Sequence, residues 1–250
     1  MKLVADGICF SYNSHPVLSK VSFKVESGEM MCILGVNGAG KSTLLKCLNR
    51  ILSPRQGTVL LDGKELLNMS RVEVARRMGY VPQRHADTCL NVFETVLMGR
   101  KPHMGWKAGP EDYAVVENIL RRIGLEPLLM RRVCDLSGGQ IQKVIIARAL
   151  AQTPRILLLD EPTSNLDLKN QLEVMGLISR IIETERLSAV VAIHDLNIAL
   201  RFADNLLFLK DNRIHAVSTR EGLTADTIRQ VYGVDVELLT VGGHTVVAPL

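Results

Sequence analysis

At 250 residues, 47 % apolar and 22 % charged, the chain has the composition of an ordinary globular protein, long enough for one large domain or a core with an inserted lobe. A formal net charge of +4 and a pI of 8.8 are only mildly basic, and the charge is too dispersed to argue for a nucleic-acid surface. No run approaches the ~18 apolar residues of a membrane-spanning helix, and a charge within the first six residues argues against a secretory leader, so a cytoplasmic location is expected.

Five cysteines (Cys9, Cys32, Cys47, Cys89, Cys134) form no C-x-x-C pair and sit mostly among apolar neighbours. They are expected to be reduced, buried thiols. The six histidines (His15, His85, His103, His194, His215, His244) show no pairing at metal-ligand spacing, so no protein-held transition metal is expected.

Residues 3 to 25 read as two strands around a turn at Asn13 to Pro16, the second alternating as Val21, Phe23, Val25, which suggests an antiparallel edge laid on the core. Tyr12 closes the first strand, where its ring either packs or stacks on a purine. Met30 to Leu34 is an apolar run of the buried-strand type. It leads into Gly35-Val36-Asn37-Gly38-Ala39-Gly40-Lys41-Ser42-Thr43, and then into a helix with Leu44, Leu45 and Leu48. Strand, glycine-rich loop and helix in that order form a phosphate cradle, with loop amides and the helix N-terminus converging on one anion. Lys41 adds a positive charge where β- and γ-phosphates would sit, and the Ser42 hydroxyl is placed to ligate their Mg²⁺. An ordinary glycine-rich turn would leave Gly-Lys-Ser-Thr after a buried strand unexplained.

Gly57 to Leu61 is a further strand running into a turn at Asp62-Gly63. Gly79-Tyr80-Val81-Pro82-Gln83 is a short strand closed by proline, with Gln83 able to reach a Mg²⁺ or its water. From about residue 90 to 152 the pattern is helical. Val116, Ile119, Leu120 and Ile123 form one apolar stripe between Gly109-Pro110 and Gly124, with Arg121 and Arg122 facing away. This stretch is expected to be a helical lobe inserted into an α/β core. Its last element, Leu136-Ser137-Gly138-Gly139-Gln140, pairs an N-cap serine with two glycines that bare the first helical amides. Lacking a lysine, it is a weaker second anion cradle, suited to completing a site built elsewhere.

Ile156 to Leu159 is a buried strand of the parallel type ending in Asp160-Glu161, where nucleotides bind in open α/β sheets. Adjacent carboxylates point to opposite sides of a strand, so Asp160 is available to a Mg²⁺ shell and Glu161 to an attacking water. Ser164-Asn165-Leu166-Asp167 is a polar turn before a helix with Leu172, Met175, Ile178 and Ile182 on one face. Ala189 to Ile193 is a final buried strand delivering His194-Asp195, a position from which His194 can touch a γ-phosphate. Leu206 to Leu209 and Ile214 to Val217 read as a hairpin, and the remainder as a short helix and a second hairpin, too short for another regulatory domain.

With these stations in order, the chain resembles the ATP-binding cassette ATPases over nearly its full length. The matching pieces are the loop at 35 to 43, Gln83, Leu136 to Gln140, Asp160-Glu161, Ser164 to Asp167, and His194. Ile141 stands where a basic residue is frequent and Asn165 where alanine is common; neither removes a functional group. The resemblance implies an α/β fold with a P-loop, RecA-like core over 1–90 and 153–220, an antiparallel β edge, a helical lobe over about 91–152 and a C-terminal extension over 221–250. It implies ATP and Mg²⁺ as ligands: adenine on Tyr12, phosphates on the loop, and Mg²⁺ on Ser42, Gln83 and Asp160. Glu161, His194 and Gln83 are implied in catalysis. It also implies that two copies close head to tail, each one's Ser137, Gly138, Gly139 and Gln140 capping the other's ATP, with Asp167 in a loop at the dimer face.

Within that family the chain is most similar to the ATPases of importers for ferric siderophores, haem or cobalamin. That likeness rests on Thr95 to His103, His194-Asp195-Leu196-Asn197 and Val231-Tyr232-Gly233-Val234. It implies transmembrane permease subunits as partners, reached through Val92 to Trp106, a substrate-binding protein acting indirectly, no nucleic acid, and a peripheral place on the inner face of the cell membrane. An importer of metal ions or oxyanions is the nearest alternative. A nucleotide-gated clamp of DNA repair or chromosome organisation would need long heptad or cysteine-paired insertions, which the lobe lacks. A regulator that binds ATP without turning it over would not need Glu161.

Overall fold

The computed structural model describes residues 2–83 and 88–250; His85 lies outside the described residues. In chain order the elements are β1 (Leu3–Tyr12), β2 (His15–Val25), β3 (Met30–Leu34), α1 (Lys41–Leu48), β4 (Gln56–Leu61), β5 (Lys64–Glu65), α2 (Arg71–Arg77), β6 (Met78–Val81), α3 (Val92–Leu97) and α4 (Pro110–Ile123). They continue as α5 (Gly138–Leu150), β7 (Ile156–Asp160), α6 (Leu168–Glu185), β8 (Ser188–Ala192), α7 (Leu196–Phe202), β9 (Asn205–Lys210), β10 (Arg213–Thr219), α8 (Ala225–Tyr232), β11 (Val236–Val241) and β12 (His244–Pro249).

Every residue of β3, β7 and β8 is buried, as their unbroken apolar sequences require of strands covered on both faces. They lie at the centre of a six-stranded sheet ordered β10-β9-β3-β8-β7-β6, parallel except for the closing β9–β10 hairpin. A second sheet, β2-β1-β4-β5, is antiparallel. Alternation along β3 divides the interior in two. Met31 and Ile33 join α1 and the antiparallel sheet in one apolar cluster, and Met30, Cys32 and Leu34 join the lobe and α6 in the other. Helix α1 is thereby clamped between the two sheets, which fixes the loop that precedes it.

Residues 92–150 carry α3, α4 and α5, with a single bridge, Asn91 to Arg132, as their described strand-like pairing. Helix α4 starts at Gly109 and Pro110 and ends at Gly124, whose φ of 75° closes the helix in the left-handed region. Val116, Ile119 and Leu120 are buried on the expected stripe, and Ile123 packs against the core. The stretch Gly99 to His103, part of the segment that carries the likeness to chelate importers, is largely an internal staple. Arg100 is 7 % exposed; its Nε donates to Asp112 Oδ1 at 2.9 Å and its Nη1 to the Ala151 carbonyl at 2.9 Å. The His103 ring bonds the Gln152 carbonyl at 2.8 Å. A charge is buried here because both its partners are charged or carbonyl acceptors already fixed by helices α4 and α5.

Other expectations need correction. Cys32 and Cys47 are buried, with thiols pushed up to about 12 by desolvation, and Cys9 is half-buried, but Cys89 and Cys134 are exposed. Both flank the irregular segments joined by the Asn91–Arg132 bridge, where Val92 and Val133 turn inward and the cysteines do not. Helices α2 and α7 are additions to the sequence reading. Ser70 and Glu73 cap each other's backbone at the start of α2, a signature present in the sequence as Ser-x-x-Glu, while Asp195 caps α7 through the Ile198 amide. The C-terminal hairpin β11–β12 is tied to α7 by Asn197, whose Oδ1 accepts from the Val247 amide at 2.8 Å. No helix among the described residues is long and apolar enough to cross a membrane.

The Gly109 amide, together with Arg100, holds the Asp112 carboxyl below its usual range. A depressed carboxylate pKa contributes stability above the unfolded value and loses it as pH falls through the folded one. Arg100→Met should therefore lower the thermal midpoint by several degrees at neutral pH, with a gap to wild type that narrows in acid. Calorimetry across pH checks this, and a gap independent of pH would refute the ion pair as its source.

Candidate functional site

Three strand ends build the site. Gly35 leaves β3 with φ of 147°, and a Cβ there would lie 2.3 Å from the Leu209 carbonyl oxygen of β9, so only glycine lets the chain turn at this point. Helix α1 then opens at Lys41 with no side chain capping its first amides, which leaves them for a ligand. Lys41 is 5 % exposed, and its Nζ donates to the Gly35 and Val36 carbonyls at 2.8 and 3.1 Å. Burial lowers its pKa, and the charges of Glu161 and Asp160 oppose that shift.

Asp160, 2 % exposed at the end of β7, accepts from Ser42 Oγ at 2.7 Å through Oδ1 and from the Tyr80 hydroxyl at 3.2 Å through Oδ2. The Tyr80 pKa is raised by burial and then by the charge of Asp160, so the phenol stays a donor. Glu161 turns the other way. Its φ of 50° is unusual for a side-chain-bearing residue, and its backbone is held by an N–H bond to the Ala192 carbonyl at 3.0 Å. The Glu161 carboxylate accepts from Gln83 Nε2 and pairs with His194 Nε2. The two acids do part, one facing a serine and a tyrosine and the other a glutamine and a histidine, but Glu161 lies beyond β7 and is turned by its backbone, not by alternation along the strand as expected.

Tyr12 is 47 % exposed and rests edge-on against Phe10, with ring centroids 4.9 Å apart. It shares a cleft of about 280 Å³ with Asn37, Gly38, Gly40, Lys41, Ser42, Thr43, Glu161 and His194. Ala39 is buried beneath the loop. A flat exposed ring at one end and a cationic, amide-lined turn at the other suit a nucleotide lying along the cleft. Ser42 Oγ and Asp160 Oδ1 are adjacent hard oxygen donors, a set that fits Mg²⁺ sharing its remaining positions with phosphate and water. Among the described residues no group of three His, Cys, Asp or Glu side chains could enclose a metal ion. Gln83, also expected at Mg²⁺, has its amide nitrogen directed at Glu161.

Ser137, Gly138, Gly139 and Gln140 are not part of that cleft's lining. Ser137 and Gln140 cap each other at the start of α5, with Gln140 Oε1 accepting from the Ser137 amide at 3.0 Å. A Cβ on Gly139 would lie 2.4 Å from Asn170 Oδ1, and Asn170 is in turn held by both carboxylate oxygens of Asp167, the cap of α6. Asp167 thus braces the second cradle from α6. Asn165, at φ of 61°, occupies a conformation that asparagine tolerates well. Sequence reasoning passed over Tyr80 and Asn170. For Tyr80 the sequence carried no signal beyond its place in a short strand; it is the β6–β7 register, setting Tyr80 beside Leu158 and Val81 beside Leu159, that puts Tyr80 and Asp160 on one face.

A profile of the ABC transporter family matches residues 18–164. An uncharacterised ABC transporter ATP-binding protein of Methanocaldococcus jannaschii is 49 % identical over 250 residues, covering 100 % of this chain and 98 % of that protein. The cobalamin import ATP-binding protein BtuD of Halobacterium salinarum is 37 % identical over 254 residues, covering 100 % of this chain and 64 % of its own length. The iron(3+)-hydroxamate import ATP-binding protein FhuC of Bacillus subtilis is 36 % identical over 242 residues, covering 95 % and 90 %. Among solved structures, an inward-facing transporter assigned to the metal-chelate type superposes with a TM-score of 0.87 at 29 % identity, covering 99 % of this chain and 96 % of that one. A dimeric ATP-binding cassette bound to ADP and phosphate gives 0.76 at 28 % identity, covering 88 % and 100 %.

Because Tyr80 holds one Asp160 oxygen while the other faces Ser42, Tyr80→Phe should free the carboxylate to rotate. The Mg²⁺ concentration needed for half-maximal ATP binding should rise about tenfold, the order seen when a ligand's supporting hydrogen bond is removed. Magnesium titrations followed by a fluorescent nucleotide check this; an unchanged midpoint would detach Tyr80 from the metal position.

Proposed function

The chain belongs to the ABC transporter family as an ATP-binding subunit, and from that premise we propose that it hydrolyses ATP to drive import of a metal chelate through separate membrane subunits. The observation that carries the reading is the pairing of Glu161 with His194 and Gln83 beside the Lys41 loop. The loop amides and Lys41 bind the phosphates, and the Tyr12 ring takes the adenine face. Ser42 and Asp160 would hold Mg²⁺, which when bound would offset negative charge on the β- and γ-phosphates. Glu161 orients and polarises the attacking water, accepting its proton, while His194 and Gln83 fix the direction of the carboxylate. The left-handed backbone at Glu161 is a local cost that turns its side chain away from Asp160, toward the cleft.

Two copies form the working unit. Ser137 and Gly138 are exposed on α5 while the cleft beside the loop is open, so each copy supplies the cap that the other lacks. The dimeric cassette among the structural neighbours supports this arrangement. The permease contact is the outward part of the lobe, where the apolar Met98, 44 % exposed, and Trp106, fully exposed, stand beside the exposed Glu94 and Lys101. Such a contact places the subunit on the inner face of the membrane, with a substrate-binding protein acting through the permease. Cargo of the cobalamin or ferric siderophore class is supported by the names of the relatives and the fold likeness to a metal-chelate transporter, and haem is the further member of the class that the sequence likeness implies.

The cargo is tested by copurifying the chain with its permease and measuring ATP turnover with binding proteins loaded with cobalamin, a ferric hydroxamate or haem. Stimulation by one of these supports metal-chelate import, and stimulation by molybdate or a bare metal ion instead would overturn it.

The catalytic assignment has its own test. Glu161→Gln keeps size and hydrogen bonding but removes the charge, so turnover should fall about 10²- to 10⁴-fold with ATP still bound. That variant should accumulate as an ATP-dependent dimer by light scattering, and adding Ser137→Arg should return it to monomer. A dimer indifferent to both ATP and the arginine would refute the two-copy mechanism.

A further inference from the structure

The C-terminal extension reaches the nucleotide loop through one side chain. Helix α8 is capped by Thr224, buries Ile228 and Val231, and ends at Gly233 with φ of 74°. It is held against the large sheet by the Gln230 carbonyl, which accepts from Lys210 Nζ of β9 at 2.5 Å, and by Gln230 Oε1 on the His215 ring of β10 at 2.9 Å. Tyr232, its last residue, is thereby aimed at the end of β3. The Tyr232 hydroxyl accepts from the Gly35 amide at 3.0 Å, across 197 residues of sequence.

That amide stands where the sheet ladder stops. Leu34 pairs with Phe208 of β9, and the pairing of β3 with β8 ends at Ile33 and Ala192. Gly35 follows, already turning, pressed against the Leu209 carbonyl on one side. A backbone N–H enclosed at such a point needs a partner, and Tyr232 supplies it. The carbonyl of the same residue accepts from Lys41 Nζ at 2.8 Å. One glycine thus links the Tyr232 hydroxyl to the lysine of the phosphate loop.

We propose that Tyr232 is a positioning residue for nucleotide binding: by holding the Gly35 amide it fixes the first turn of the loop that presents Lys41 and the α1 amides to the phosphates. The inference rests on the reading of this loop as the ATP site. It makes α8 part of the nucleotide site although no α8 residue lines the cleft. Removing the hydroxyl leaves the amide unsatisfied and lets the loop leave its binding geometry, and affinity falls by the fraction of time it does so. The coupling is reciprocal, so nucleotide binding must also steady α8.

The test uses full-length wild type, Tyr232→Phe and Lys41→Ala with Mg-ADP, measured by calorimetry alongside thermal unfolding without nucleotide. Tyr232→Phe keeps the buried ring and should bind Mg-ADP about three- to tenfold more weakly, the range expected for one lost hydrogen bond. Wild-type affinity in Tyr232→Phe, whatever its melting temperature, together with weak binding by Lys41→Ala, overturns the positioning role and leaves the nucleotide reading standing. Undiminished binding by Lys41→Ala, or none by wild type, overturns the nucleotide reading and this inference with it. If Tyr232→Phe does not fold, hydrogen exchange in wild type decides: Mg-ADP should slow exchange of residues 225–233 more than that of β11 and β12. Equal or no slowing there overturns the proposal.

Discussion

Three apolar strands covered on both faces leave the chain little choice, and the rest of the molecule follows from that constraint. With every residue buried, β3, β7 and β8 have to occupy the middle of a sheet, side by side and parallel, where backbone groups pair fully and both faces are roofed. Parallel alignment brings their C-terminal ends to one edge. Gly35 and its loop, Asp160 with Glu161, and His194 therefore meet although the chain separates them widely. The alternation along β3 also assigns its two faces to two cores, which clamps α1 and so aims the amides at its start.

The two acids at the end of β7 show how a small backbone decision separates chemical tasks. Asp160 remains in the strand, is almost fully buried, and has each oxygen engaged by a hydroxyl, the arrangement that a buried charge needs in order to persist. Glu161 has left the strand through a left-handed conformation and meets groups that can guide a proton acceptor. Strain of this kind persists only where surrounding bonds hold it, and here the Ala192 and Ser164 backbones do so from either side.

Charge in the lobe divides in a similar way between structure and surface. Arg100 is spent inside, joining α4 to the end of α5 through Asp112 and the Ala151 carbonyl. What remains outside on the same stretch mixes the apolar Met98 and Trp106 with the charged Glu94 and Lys101, a surface suited to contact with another subunit.

The sequence by itself determined the order of the main strands and helices, α2 and α7 apart, and with it the phosphate loop, the Asp160-Glu161 strand end and the Ser137 cap, because each is a local pattern whose spacing carries its own physical reason. It also suggested opposite directions for Asp160 and Glu161, but from strand alternation, whereas Glu161 lies beyond β7 and is turned by a left-handed backbone. Tertiary structure alone decided who the neighbours of each residue are. Tyr80 meets Asp160 across 80 residues through strand register, and Tyr232 meets Gly35 across 197 through the docking of a helix on a sheet. Arg100 turned inward, and Cys89 and Cys134 outward, for a related reason: burial depends on which elements pack over a residue, and composition near it in sequence does not specify them.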